Sequence, residues 1–202
     1  MRCAGGVAHY IALYVNDLLL VSPSIDDIPR VETGLKEKYG IKDLGEARFI
    51  LGIQIHRYAE GSVFRLQRAY LEDVLLRFGQ AGCRTVPTPM IPLSQLHAAP
   101  EDHTPSPSFR RRYLQAVGSL MYAMFGTRPD LAHGVGVLGR HTSRPDNSHW
   151  AAAVCVCQFF KGTLDYGIKY VPIDAPLVIF KAYSNLDWGL QPKVLGSASL
   201  VE

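Results

Sequence analysis

Several features that would assign the chain to a function class are scarce in its 202 residues. No apolar run approaches the ~18 residues of a membrane span, so no membrane association is expected. The apolar run near the start meets Asn16 and Asp17 without a small-residue cleavage site, which argues against a secretory signal. The four cysteines lack metal-ligand spacing, so they are expected to be reduced thiols of an intracellular protein, cytoplasmic or nuclear. They are Cys3, Cys83, Cys155 and Cys157.

Charge is sparse as well. Charged residues make up 19% of the sequence, and the formal net charge is +3. A dedicated nucleic-acid binder usually carries a basic stripe, so this mild excess permits a nucleic-acid partner without requiring one. Hydrophobic residues at 48% indicate a globular chain that can bury a core.

The alternation of apolar and polar residues predicts an α+β fold. An apolar run over residues 10–22, interrupted by Asn16-Asp17, predicts a hairpin. A helix over residues 24–40 and a second hairpin over residues 49–66 are predicted next. The later predicted elements are a helix over residues 66–79, a proline-rich loop over residues 86–108, helices over residues 113–125, 129–140 and 147–162, and one or two strands over residues 175–189.

The dipeptide Asn16-Asp17 has two interpretations. Both residue types tolerate left-handed backbone conformations, so the pair is good turn chemistry. A strand–turn–strand that holds two carboxylates side by side is also how polymerases present oxygen ligands to paired Mg²⁺ ions. The dipeptide alone favours the turn.

The surrounding motifs occur in a specific order. They are YVND at residues 14–17, KDLGEARFILGIQI, VPTPM, VGSLMYA, TRPDLAHGVGVL, HW and KGTLDYG. Any one of them is weak, but in this order and spacing they resemble the reverse transcriptase of copia-type LTR retrotransposons over most of the chain. The resemblance implies RNA-directed DNA polymerisation with two Mg²⁺ ions on an RNA/DNA template–primer duplex.

The resemblance also implies a division into three parts. Residues 1–65 would be a partial palm with β-hairpins and one helix, and residues 66–165 a helical thumb that includes the linker 86–108. Residues 166–202 would be the first strands of an RNase H-like sheet.

Individual residues acquire expected roles in the same way. Asp17 falls on a metal-binding carboxylate of the palm, and Asn16 stands where the family has another Asp. Leu51 and Gly52 fall in the primer grip, where backbone would approach the primer end. Gly118 and Ser119 fall on the thumb helix that lies along the minor groove of the duplex, where they would be small contact residues.

Basic and histidine residues are ambiguous. Arg110, Arg111 and Arg112 permit phosphate binding, but the residues by themselves favour a solvated charge run. They also stand near a helix start, where the macrodipole disfavours cations. His133, His141 and His149 recur every eight residues, but no carboxylate partner supports a metal site.

Three departures from the family pattern concern catalysis. Asn16 removes a negative charge that a divalent cation needs, and none of the residues before Tyr10 is acidic. Asn185 stands where the first RNase H carboxylate is expected. The sequence therefore predicts a catalytically inactive remnant. The alternatives are a non-enzymatic nucleic-acid-binding module, or a split reading frame whose upstream polyprotein segment supplies the missing Asp.

Folding is expected to be marginal. The segment from Trp150 to Phe160 is apolar nearly all round, so it is either fully buried or poorly suited to water, and we expect the second. Half a palm sheet would also leave an unpaired strand edge.

Overall fold

The computed structural model describes residues 2–4, 7–24, 26–90 and 96–172. Its first elements are β1 (Arg2–Ala4), β2 (Val7–Tyr14), β3 (Asp17–Val21) and α1 (Asp27–Tyr39). The three strands form an antiparallel sheet in the order β1-β2-β3. The predicted first hairpin is confirmed, because Tyr10 pairs with Val21 and Tyr14 with Asp17. Helix α1 ends as predicted at Gly40, whose φ of 64° suits a residue without a side chain.

A second antiparallel sheet contains the hairpin predicted over residues 49–66, but a tight turn at Leu51–Gly52 breaks its first strand into two short strands. Its strands are β4 (Phe49–Ile50), β5 (Ile53–Arg57), β6 (Val63–Leu66) and β7 (Gly167–Tyr170), in that order. Strand β7 comes after all the helices and pairs with β6, so that Val63 lies opposite Tyr170. Strand β7 therefore belongs to the same compact unit as the helices, and that unit extends to Val171.

In the described part of the chain, four α-helices lie between β6 and β7. They are α2 (Arg68–Arg77), α3 (Pro107–Gly126), α4 (Ala132–Gly139) and α5 (Asn147–Gly162). A short 3-10 turn, Pro129–Leu131, precedes α4. Ser106 caps α3 by accepting a hydrogen bond from the backbone N–H of Phe109. No helix among these described residues is long and apolar enough to cross a membrane.

The hydrophobic core lies between α2, α3, α4 and α5. Its large members include Leu71, Tyr113, Leu120, Leu138 and Phe160, each at most 1% exposed. The expectation that the apolar helix is poorly suited to water is wrong, because α5 buries Ala153, Val156, Cys157, Phe159 and Phe160 in this core. Three neighbouring helices accept apolar side chains from several of its faces, which explains an apolar composition nearly all round.

A buried arginine ties two distant motifs together. Arg128 is 0% exposed, and its Nε and Nη2 donate to the carboxylate of Asp130 at 2.9 and 2.7 Å. Its Nη1 and Nη2 also donate to the carbonyl and hydroxyl oxygens of Thr163 at 3.0 and 2.7 Å. The TRPD motif therefore holds the end of α5 at the KGT motif, which is a structural role.

The first sheet and α1 have no comparable core. Among the described side chains of residues 9–61, none is buried. Large apolar side chains are open to solvent on both elements, including Ile11 at 54%, Leu13 at 71% and Tyr39 at 64% exposure. This part of the chain gains far less from burial than the helices do.

Candidate nucleic-acid interface

The first hairpin turn presents Asp17 to solvent. Tyr14 pairs with Asp17, so the two turn residues are Val15 and Asn16, and Asp17 is the first residue of β3. The sequence placed the turn one residue later. All four of these residues are exposed. Val15 has a φ of 51°, an uncommon conformation for a β-branched side chain.

The second hairpin turn has the same two-residue construction. Ile50 pairs with Ile53, so Leu51 and Gly52 form the turn. Their φ values are 51° and 71°, and two consecutive positive φ values define a turn whose twist matches the flanking strands. Gly52 therefore serves a tight turn between two strands.

The two turns share a backbone feature. Among the described residues, Val15 and Leu51 are the two non-glycine residues with positive φ. Such conformations cost roughly 1–3 kcal/mol each and cluster at sites where function requires them. The turns that hold Asp17 and Leu51–Gly52 are therefore unusual by a criterion independent of motif matching.

Helix α3 carries an exposed row of mostly apolar residues beside the second turn. Gly118 lies on the surface, and a Cβ added there would meet nothing within 4 Å. Met121, one turn later, is 40% exposed and Phe125 is 76% exposed. Ser119 faces inward at 9% exposure, so of the two small residues predicted to contact a duplex, Gly118 alone lies on this outward face.

Tyr122 connects α3 to the second turn. Its hydroxyl donates a hydrogen bond to the backbone carbonyl of Leu51. Its ring meets that of Tyr70 edge to face, with centroids 4.9 Å apart. Burial, and then the nearby Tyr14, raise the pKa of Tyr122 above its ordinary value. Sequence reasoning missed this residue, although it stands inside the VGSLMYA motif, because nothing local indicates a partner 71 positions away.

The three arginines near the start of α3 are exposed cations without carboxylate partners among the described residues. Arg110 donates from Nε to the carbonyl of Thr142 at 3.3 Å. The guanidinium carbon of Arg112 lies 4.5 Å from the ring centroid of Trp150. Arg111 is exposed, and its side chain makes no hydrogen bond or ion pair among the described residues. Neither internal contact neutralises a charge, so all three remain available to an anion.

Two of the three evenly spaced histidines, His141 and His149, have structural contacts. His149 is fully buried; its Nδ1 accepts from the backbone N–H of Asp146 at 3.0 Å, so its Nε2 donates to the carbonyl of His97, also at 3.0 Å. The rings of His141 and His149 stack 4.1 Å apart. His133 is exposed.

The metal-binding capacity of the described residues is small. The side chains of the first turn offer two kinds of oxygen, the carboxylate of Asp17 and the amide of Asn16. A hard cation such as Mg²⁺ requires about six oxygen ligands, carboxylates among them. Among the residues that the structure describes, no three His, Cys, Asp or Glu side chains are grouped closely enough to hold an ion. These residues do not fit a two-metal centre. Asn185 lies outside the described residues.

Comparison with known proteins identifies the family. A family model described as reverse transcriptase (RNA-dependent DNA polymerase) matches residues 1–92, which include both turns. The retrovirus-related Pol polyprotein from transposon TNT 1-94 of Nicotiana tabacum is 34% identical over 88% of this chain and 13% of that protein. An uncharacterized mitochondrial protein of Arabidopsis thaliana is 30% identical over 89% of this chain and 71% of its own length. The chain belongs to the retrotransposon reverse transcriptase family.

The match to this family extends beyond the region of the family model. The Pol polyprotein from transposon RE2 of Arabidopsis thaliana is 31% identical over 89% of this chain and 12% of that protein, so the helices are covered too. The chain spans about an eighth of the length of these Pol polyproteins. No solved structure matches the chain significantly. The resemblance found in the ordered motifs is thereby confirmed, and the mixed fold of the described residues, with two sheets and five α-helices, agrees with it.

Proposed function

We propose that this segment of a retrotransposon reverse transcriptase binds an RNA–DNA template–primer duplex without catalysing DNA synthesis by itself. The proposed contact surface consists of the second hairpin turn and the outward face of α3, with the first turn nearby. The observation that carries the proposal is the hydrogen bond from Tyr122 to Leu51, which brings the second hairpin turn beside the exposed row on α3.

Charge supports a duplex as the partner. Arg110, Arg111 and Arg112 lie in the second turn of α3, whose first turn holds no acidic residue. The N-terminal end of a helix is itself electropositive, so the arginines and the macrodipole add to one positive potential. The three cations repel one another, which lowers folding stability. A phosphate backbone would relieve that repulsion, and its neutralisation would also release counterions from the duplex, which favours binding.

The shape of the α3 face supports the same partner. A-form duplexes expose a wide, shallow minor groove of sugar and base edges, which a protein reads by shape. Gly118 allows the helix backbone to approach such a groove closely. Met121 and Phe125 offer apolar contacts to the sugars beyond it. In the proposal, the arginines contact phosphates at one end of the helix while this row lies along the groove.

The absence of catalysis follows from ligand chemistry. Two-metal phosphoryl transfer requires several carboxylates around ions that lie about 3.5–4 Å apart. The first turn offers Asp17 with a neutral amide beside it, so the chain alone would not hold the ions. We propose that the parent family's polymerase activity needs further carboxylates, which another segment of the polyprotein would supply.

Duplex binding is tested by fluorescence anisotropy of a labelled RNA–DNA hybrid. We expect a dissociation constant in the micromolar range at moderate salt, typical of backbone-dominated binding at about 10⁻⁴–10⁻⁶ M. Arg111→Gln should weaken binding several-fold, because it removes a proposed phosphate partner whose side chain makes no hydrogen bond or ion pair within the described part of the chain. Arg84→Gln, an equal charge change on an exposed residue of the loop after α2, is the matched control. No anisotropy change at low salt would remove the proposal.

Catalysis is tested by primer extension with Mg²⁺ or Mn²⁺. Neither the natural chain nor Asn16→Asp should incorporate nucleotides, because the variant restores one carboxylate and leaves the site incomplete. Incorporation by the natural chain that Asp17→Ala abolishes would show that a functional metal site exists.

A further inference from the structure

The second hairpin turn is joined to α3 by a side-chain hydrogen bond. Among the described residues, the hydrogen bond that joins this turn to α3 runs from the Tyr122 hydroxyl to the Leu51 carbonyl. A Cβ added to Gly52 would lie 3.8 Å from the same hydroxyl oxygen, so both turn residues pack beside Tyr122. The strand pairs of β4 and β5 fix the hairpin itself but leave its distance from α3 unspecified.

The ring of Tyr122 is held in place from its other side. Tyr70 on α2 meets it edge to face, and the Tyr70 hydroxyl donates to the carbonyl of Ser119 at 3.0 Å. Ser119 precedes Tyr122 by three residues, so it lies one helical turn away. The aromatic pair therefore anchors the Tyr122 ring to α2 and α3, and the hydroxyl is left to determine where the turn sits.

The bonded carbonyl belongs to a strained residue. Leu51 has a φ of 51°, in a region that side chains other than glycine rarely adopt. A hydrogen bond to the carbonyl of such a residue stabilises one orientation of its peptide group against relaxation. Removing it frees the peptide plane between Leu51 and Gly52 without removing any apolar contact of the ring.

We propose that Tyr122 is a positioning residue, whose hydroxyl sets the Leu51–Gly52 turn against the outward face of α3 so that both contact one duplex. This inference rests on the proposed duplex-binding function. It assigns the hydroxyl a role that the ring cannot supply, and it separates Tyr122 from Met121 and Phe125, which would touch the duplex directly.

The positioning is measured first without nucleic acid. Protein labelled with ¹³C at leucine carbonyls and ¹⁵N at glycine gives correlation peaks from Leu–Gly pairs alone, and the sequence holds four, ending at Gly45, Gly52, Gly139 and Gly196. Tyr122→Phe should move the Gly52 peak, because the Leu51 carbonyl loses its donor, and leave the Gly139 peak in place. Tyr70→Phe, the matched control, removes a hydroxyl that bonds Ser119 and should leave the Gly52 peak unmoved.

The binding arm uses the same two variants with the labelled hybrid. Tyr122→Phe should weaken affinity roughly 2- to 12-fold, the range for one net hydrogen bond. Tyr70→Phe should change it less than twofold. An unmoved Gly52 peak or an unchanged affinity in Tyr122→Phe, with a binding-competent natural chain, would overturn the inference and leave the proposed function standing. A moved Gly52 peak in a chain that binds no duplex would instead overturn the proposed function.

Discussion

Replacing Arg128 tests whether the TRPD and KGT motifs form a structural clamp. Arg128→Met keeps a long side chain of similar volume but removes every donor. Asp130 then loses its cation, and the carbonyl and hydroxyl of Thr163 lose their shared partner. The aromatic contacts also weaken, since the guanidinium carbon lies 5.5 Å from the ring centroids of both Phe159 and Tyr166.

The magnitude follows from burial. Removing one partner of a buried pair costs about 3–5 kcal/mol, because the other charge is left uncompensated. The Asp130 side chain is 37% exposed, so water recovers part of its solvation and the lower end of that range applies. We expect a loss of about 3 kcal/mol, a large fraction of the ~5–15 kcal/mol that stabilises a typical domain.

Urea unfolding followed by circular dichroism measures this loss. The matched control is Arg112→Met, which removes an exposed guanidinium stacked on Trp150, an interaction of about 0.5–1 kcal/mol. Equal midpoints for the two variants, or a loss below about 1 kcal/mol in Arg128→Met, would refute the clamp.

Two further predictions concern backbone strain and pH. Val15→Gly should stabilise the chain by about 0.5–1 kcal/mol. The positive φ of Val15 costs about 1–2 kcal/mol, which is more than the conformational entropy that glycine loses on folding. The control Val31→Gly, inside α1, should destabilise the chain in the same urea titration. Burial and then the nearby His149 lower the pKa of His141 below its ordinary 6.5. As the pH falls, His141 therefore gains its proton in the unfolded chain before it does so in the folded chain. Stability should therefore be full above about pH 6.5 and fall as the pH drops below it, and His141→Phe should flatten that fall; an equal fall in the variant would contradict the assignment.

The elements that depend only on neighbouring residues could be predicted from the sequence. The first hairpin follows from two apolar runs around a polar turn, and the end of α1 follows from Gly40, because neither needs a distant partner. Such features need only strand and helix periodicity. On α3 the sequence grouped Gly118 with Ser119, whereas Gly118 lies on the surface and Ser119 faces inward.

The features that the sequence did not predict depend on contacts between residues far apart in the chain. Strand β7 joins the second sheet through pairing of residues more than a hundred positions apart, which no periodicity indicates. The burial of α5 depends on three other helices being present to cover it. Tyr122 and Arg128 stand inside recognised motifs, but their partners Leu51 and Thr163 are set by the packed fold. The sequence therefore located the motifs. The structure assigned Arg128 to a structural contact with Thr163 and placed Tyr122 beside the candidate interface.

The salt dependence of duplex affinity tests the proposed function most directly. Each phosphate contact contributes about 0.9 to the slope of log affinity against log salt concentration. Replacing Arg110, Arg111 and Arg112 together by glutamine should therefore reduce the slope for the RNA–DNA hybrid by about 2–3 between about 50 and 200 mM salt. A slope equal to that of the natural chain would contradict the placement of the duplex against α3.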